Sequence, residues 1–248
     1  MIPKPNNNQP QKYRSTLIIQ HQGCQQNILL IALNRPQTKN AFNNTLYKDL
    51  IHLLNDVEKD DSIDVIVLTG MGDYFSSGAD LSDFDDNDDD DGDKKEGTIH
   101  KPSGQFMMKI LSFPKLICCA INGPTIGIGV TLLPHVDLSY CTYTSTFWTP
   151  FNRIALVPEF ASSITFVECM GLQHANEMLL LGEKIDAKKA IEYNLCMKII
   201  YDCNEDCVDA FAKDSIGMKV CQEIDEKLLS LPSSEHTSRV STRTVVLV

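Results

Sequence analysis

The chain has 248 residues, 43% of them apolar and 22% charged, with a net charge of −11. A chain of this length buries roughly 70–75% of the surface its unfolded form exposes, so one or two ordinary domains form without disulfide staples. The composition excludes collagen-like, wholly disordered and disulfide-scaffold classes, and the acidic balance argues against a general affinity for nucleic acid.

The acid is unevenly placed. None precedes Asp49, and eight of the 33 acidic residues lie between Asp83 and Asp93, so the charge belongs to one loop rather than to the whole surface. No apolar run reaches the ~18–20 residues that cross a bilayer, and no signal peptide is visible. The nine cysteines therefore read as reduced thiols. Cys118 and Cys119 lie in an apolar run, and Cys203 and Cys207 have no partner at zinc-ligand spacing, so no metal site is expected.

In chain order, residues 1–12 are rich in Pro, Asn and Gln and read as a flexible arm. Leu17–Gln20 and Asn27–Leu33 flank a short polar break and form a β-hairpin, which Arg35-Pro36 ends. Leu46, Leu50, Leu53, Leu54 and Val57 mark one face of a helix, with Asn43, Asn44 or Thr45 as its cap. Asp64–Gly70 is apolar without alternation, as a strand buried on both faces of a parallel sheet must be. Residues 83–97 (DFDDNDDDDGDKKEG) repel one another and bury nothing, which predicts mobility. A Ca²⁺ loop built on Asn87, Asp89 and Asp91 is the sharper alternative, but Thr98 stands where the closing Glu belongs.

Lys115–Asn122 and Asp137–Thr142 are two further strands. Helical patterns follow near Ile164–Met170, Ala175–Leu181, Lys188–Tyr193 and Glu205–Leu229. Such alternation predicts an α/β fold with a mostly parallel sheet. The domain reading is a core over 13–200 and a shortened helical region with an unpatterned tail over 201–248.

Two glycine-bearing turns each follow a strand: Phe75-Ser76-Ser77-Gly78-Ala79-Asp80-Leu81, and Asn122-Gly123-Pro124-Thr125-Ile126-Gly127-Ile128-Gly129. If each opens a helix, unpaired N–H groups at the two termini form an oxyanion hole. Ordinary βα turns account for such glycines by default. Glu159 sits in an apolar stretch, Val157-Pro158-Glu159-Phe160. Burial there suits a carboxyl to proton transfer near neutral pH, whereas an isolated Glu before a helix usually faces solvent. The six histidines, His135 among them, share no metal or triad spacing and read as structural or surface. Asp80 reads as a cap. Ser76 and Ser77 lack the His–acid partners that a nucleophile needs.

The wording, order and spacing of these segments resemble the crotonase (enoyl-CoA hydratase/isomerase) superfamily. The likeness runs from Leu33-Asn34-Arg35-Pro36 and Lys39-Asn40-Ala41 through both turns to about Ile200. Within the superfamily, Asn122–Ile128, Thr149-Pro150-Phe151 and Pro158-Glu159 followed by Ser162-Ser163 look most like the peroxisomal-type delta(3)-delta(2)-enoyl-CoA isomerases. The resemblance implies a crotonase fold, with repeated ββα units in a mostly parallel spiral sheet. It implies an acyl-CoA thioester substrate whose oxygen is held by the backbone N–H groups of Ala79 and Ile128, and Glu159 as the single catalytic carboxylate. The two places of the hydratase carboxylates hold Thr131 and Phe151, which argues against hydration. CoA would run past Lys39, Asn40 and Ala41 and past Ser77, Gly78, Asp80 and Leu81, and Trp148, Phe151 and Phe160 would line the acyl pocket. Coenzyme A is part of the substrate, and no other cofactor is implied. A homotrimer or dimer of trimers is expected, with no nucleic-acid partner and no membrane span.

The family places such a protein in peroxisomes or mitochondria, although the ending Thr244–Val248 is not Ser-Lys-Leu, no targeting signal is clear and the cytosol stays open. The region after Ile200 reads as shorter than the family's C-terminal helices. That keeps a second reading alive, in which the chain is a weak or inactive acyl-CoA- or protein-binding module.

Overall fold

A computed structural model describes residues 15–22, 27–84, 100–200 and 216–229. The flexible arm, the candidate Ca²⁺ loop and the C-terminal tail of the sequence reading lie outside these residues, as do Cys203 and Cys207.

The chain builds a six-stranded sheet in the order β1 (Thr16–Gln22), β2 (Asn27–Leu33), β3 (Val65–Gly70), β4 (Leu116–Ile121), β6 (Leu138–Thr142) and β9 (Lys198–Ile200). The β1–β2 hairpin is antiparallel and every other pairing is parallel. A second, three-stranded sheet joins β5 (Thr125–Ile126), β7 (Thr146–Trp148) and β8 (Ile185–Asp186).

The buried strands are apolar on both faces because both faces are covered. Leu29, Ile31, Ile66, Leu68, Ile117, Cys119 and Ile121 face the larger core. There they meet α1 (Asn44–Glu58) through Leu46, Leu50, Leu53, Leu54 and Val57, and α2 (Pro102–Ser112) through Phe106 and Ile110. The alternate residues Ile28, Leu30, Val65, Val67, Cys118 and Ala120 meet Ile216, Val220, Cys221 and Ile224 of α7 (Ile216–Leu229). The side chain of Asn43 caps α1 by accepting from Leu46 N at 2.9 Å. Its other end is held by Lys115, whose Nζ donates to the carbonyls of Val57, Asp60 and Ile63 at 2.7–2.8 Å.

Two expectations change. The turn after Gly78 opens only a 3-10 turn over Leu81–Phe84 within the described residues. Asp83, assigned to the mobile acidic loop, belongs to that turn and accepts from Asn44 N at 2.6 Å. The second glycine turn opens α3 (Ile128–Thr131), a single turn of helix. Neither element is long enough to carry a large helix dipole. Beyond these, α4 (Ser162–Met170), α5 (Leu172–Leu179) and α6 (Ala187–Glu192) stand where the periodicity places them. No described helix is long and apolar enough to cross a membrane.

Candidate active site

The first glycine turn is clamped on both sides. Phe42 N donates to Gly78 O at 2.8 Å, and Asp80 N donates back to Phe42 O at 2.9 Å. On the other side Ser76 bridges Thr125, with Ile126 N donating to Ser76 O at 2.9 Å. Ser77 N donates to Lys39 O and Gly78 N to Ser76 Oγ. Every amide around Ala79 is thus committed, and Ala79 N has no acceptor among the described residues. The second turn repeats the arrangement. Gly127 N donates to Trp148 O at 3.0 Å and Val130 N to Gly127 O, while Ile128 N, first in α3, has no acceptor among the described residues.

The two turns touch through their glycines. A Cβ on Gly127 would lie 3.6 Å from Gly78 Cα, and one on Gly78 would lie 3.2 Å from Ile126 O. Both glycines have positive φ, +93° at Gly78 and +54° at Gly127. Close approach and backbone conformation together select glycine here. The same Gly127 position lies 3.8 Å from Glu159 Oε1. Ala79, Ile128 and Glu159, more than thirty residues apart in sequence at each step, therefore converge on one place.

Glu159 lies mostly buried in the segment leading to α4. Desolvation pushes its carboxyl up from 4.5 to about 7, because burial disfavours the charged form. Its backbone is fixed by Ser162, whose N and Oγ both donate to Glu159 O, at 3.0 and 2.7 Å. The intervening Phe160 and Ala161 have φ of +53° and +54°, a pair of left-handed residues that glycine or asparagine usually supplies. His135 meets this turn directly. Its Nε2 lies 2.8 Å from Phe160 O and its ring stacks on Phe160 at 4.0 Å between centroids. Tyr47, buried on α1 between Phe42 and Phe106 at 5.3 and 5.6 Å, has its phenol pushed upward by burial and then by the charges of Glu159 and Asp83. The sequence reading misses Tyr47 and treats His135 as structural. Neither lies in a motif, and only contact in space marks them.

The other residues expected to meet the ligand stand in several different settings. Asn40 is fully buried, and its side chain accepts from Arg35 N and donates to Met71 O and Tyr74 O. It builds the loop, with both amide hydrogens committed to backbone carbonyls. Ser77 Oγ donates to Thr38 O, and the carbonyl of the buried Ala41 accepts from Arg35 Nη1. Asp80 pairs with Arg35 at 3.1 Å and accepts from Ser82 Oγ at 2.7 Å, which hold its carboxyl below the usual range. Lys39 lies over the Tyr74 ring in a cleft of about 450 Å³, and Leu81 is exposed. Phe151 and Phe160 belong to the main core. The Nε1 of Trp148 donates to Gly182 O, and its side chain lines a cleft of about 400 Å³ with Tyr74, Ile126 and Arg153. Among the described residues no group of three His, Cys, Asp or Glu side chains is arranged to hold a metal ion.

Residues 23–211 match the family described as enoyl-CoA hydratase/isomerase. The chain belongs to that family. Over 175 residues it is 39% identical to human "Enoyl-CoA delta isomerase 2", covering 71% of this chain and 44% of the relative. It is 36% identical to mouse "Enoyl-CoA delta isomerase 3, peroxisomal", covering 69% and 54%. The chain thus spans about half the length of these curated relatives. Among solved structures, an enoyl-CoA hydratase/isomerase from Pseudoalteromonas atlantica T6c superposes with a TM-score of 0.73 at 30% identity, covering 91% of this chain and 81% of that one. The mostly parallel sheet with flanking helices is the crotonase fold of these structures.

Proposed function

We propose that this chain is a delta(3)-delta(2)-enoyl-CoA isomerase acting in fatty-acid β-oxidation. The observation that carries the reading is the convergence of one desolvated carboxyl, Glu159, with two amides unpaired among the described residues, Ala79 N–H and Ile128 N–H, on a glycine–glycine contact.

One carboxylate is sufficient for a 1,3-proton shift. The C2 proton of a 3-enoyl thioester lies between a carbonyl and an alkene. Glu159 takes it, and the electron pair spreads over a dienolate to the thioester oxygen. The Ala79 and Ile128 amides stabilise that oxyanion where the charge develops. Glu159 then returns the proton at C4, and the double bond reaches conjugation as the 2-trans-enoyl thioester. A carboxyl near 7 suits both halves of this exchange. A water-poor setting keeps the proton on the base between them. Hydration would need a second proton-transferring group, and the two places the family offers hold the buried Thr131 and Phe151.

The reading includes coenzyme A as part of the substrate, a homotrimer or dimer of trimers, and a peroxisomal or mitochondrial site of action.

The test is an ultraviolet assay of a 3-trans-enoyl-CoA, following the conjugated 2-enoyl thioester. Turnover is expected, with kcat falling about 10³-fold in Glu159→Gln while the thioester still binds. In the free enzyme kcat/KM is expected to rise with pH and level off above about 7, because the base works only when deprotonated. A flat trace with the thioester bound would replace the isomerase with a binding module.

A further inference from the structure

The segment that carries Glu159 holds an unusual backbone. Ser162 N donates to Glu159 O, closing a four-residue turn whose two central residues are Phe160 and Ala161, both left-handed. A bulky residue at positive φ is an outlier that persists only when its surroundings over-determine it. Ala161 is exposed. Phe160 is 7% exposed and packs in the main core, and one residue meets both its ring and its carbonyl. His135 stacks on its ring at 4.0 Å and 18°, and hydrogen-bonds its carbonyl at 2.8 Å. A carbonyl oxygen only accepts, so Nε2 of His135 carries the hydrogen; this assignment follows from the bond itself. His135 closes the 3-10 turn Leu133–His135, which follows directly on α3, the element that begins with Ile128. One half-buried side chain therefore ties the element of the second amide to the turn of the carboxylate.

We propose that His135 is a positioning residue for Glu159, holding the left-handed Phe160 backbone and thereby the carboxylate's placement against Gly127 and the Ile128 amide. The role rests on the isomerase reading for its catalytic meaning, but its structural content is independent of it. Removing the imidazole lets the turn relax toward right-handed backbone and swings the carboxylate away from Gly127, toward water. A misplacement of about 1 Å in a reacting group costs up to 10²-fold in rate.

The experiment compares His135→Leu, which keeps an apolar side chain but no donor, with His135→Gln, whose amide nitrogen reaches the place of Nε2. In isomerase turnover, His135→Leu is expected to lower kcat by about 10–100-fold with KM changed by less than about threefold. His135→Gln is expected to restore most of that loss. A purely structural role would move melting temperature and leave kcat of the folded fraction intact. The second readout needs no turnover: the Glu159 carboxyl is titrated by ¹³C NMR, identified by its absence in Glu159→Gln. It is expected to titrate at about 7 in the wild type and near the ordinary 4.5 in His135→Leu. A Glu159 titration unchanged in a folded His135→Leu protein would overturn the inference. A wild type without turnover would remove the isomerase reading, and the titration would still decide the role of His135.

Discussion

Two turns in this molecule each contain two consecutive non-glycine residues at positive φ, and they are held in opposite ways. At Lys39-Asn40, φ is +53° and +55°. Asn40 supports the conformation with its own side chain, whose amide hydrogen-bonds Arg35 N, Met71 O and Tyr74 O, while Ser77 N and Ser76 Oγ hold the carbonyls of Lys39 and Asn40. Asparagine also tolerates left-handed backbone better than most residues. At Phe160-Ala161 neither residue has such a capacity. The turn is held from outside, by Ser162 on the Glu159 carbonyl and by His135 on Phe160. The first turn is therefore a stable strut that fixes Phe42 and, through it, Ala79. The second is a strained mount for Glu159, the carboxyl proposed to move the proton. Strain concentrates where chemistry is positioned, and its cost is met by neighbouring contacts.

Substitutions break this comparison in a definite order. The largest effect is expected from Asn40→Ala, which leaves a buried amide and two carbonyls short of partners and forces alanine into left-handed backbone. Denaturant unfolding is expected to show a loss of about 4 kcal/mol. Next comes Glu159→Gln, with the opposite sign. The folded carboxyl titrates near 7 against 4.5 unfolded, so the native state holds the proton more tightly between those values. Stability is lost as pH rises from about 4.5 to 7, and the amide escapes that loss. Above pH 7 the variant is expected to be more stable than the wild type by up to about 3 kcal/mol. At pH 4 the difference should vanish, and urea midpoints at the two pH values check both. The smallest effect sharpens the contrast. Ala161→Gly removes left-handed strain at an exposed position and is expected to stabilise by about 0.5–1 kcal/mol. Asn40→Gly, at the same kind of backbone, is expected to destabilise because the amide's bonds are lost. Equal signs in thermal unfolding would mean that the two turns are held alike.

Much of the fold was legible in sequence because it rests on periodicity. The continuous apolar runs of β3 and β4 announced strands buried on both faces, and α1 showed its buried face and Asn43 its cap. The short strands β7, β8 and β9 and the helix α2 were not legible. Strands of two or three residues have no period to read, and α2 buries only Gly104, Phe106 and Ile110. The opening of a helix after Gly78 was expected from the shape of the turn, and the chain makes a 3-10 turn instead.

The site divides along the same line. Glycines at 78 and 127, an acid beside Pro158 and the order of the segments are all properties of the string, and through the resemblance to the family they mark Ala79, Ile128 and Glu159. Which side chains reach a ligand is not such a property. Asn40 and Ser77 stand in motif positions, yet their side chains donate to backbone carbonyls, and the Nε1 of Trp148 donates to Gly182 O. The sequence by itself determined the long buried strands, the periodic helices and the family, because each depends on local pattern and spacing, and the resemblance to that family proposed Ala79, Ile128 and Glu159 as the site. Only the tertiary structure decided that the two glycines touch, that Glu159 is desolvated and that His135 holds Phe160, because each is a contact between segments distant in sequence.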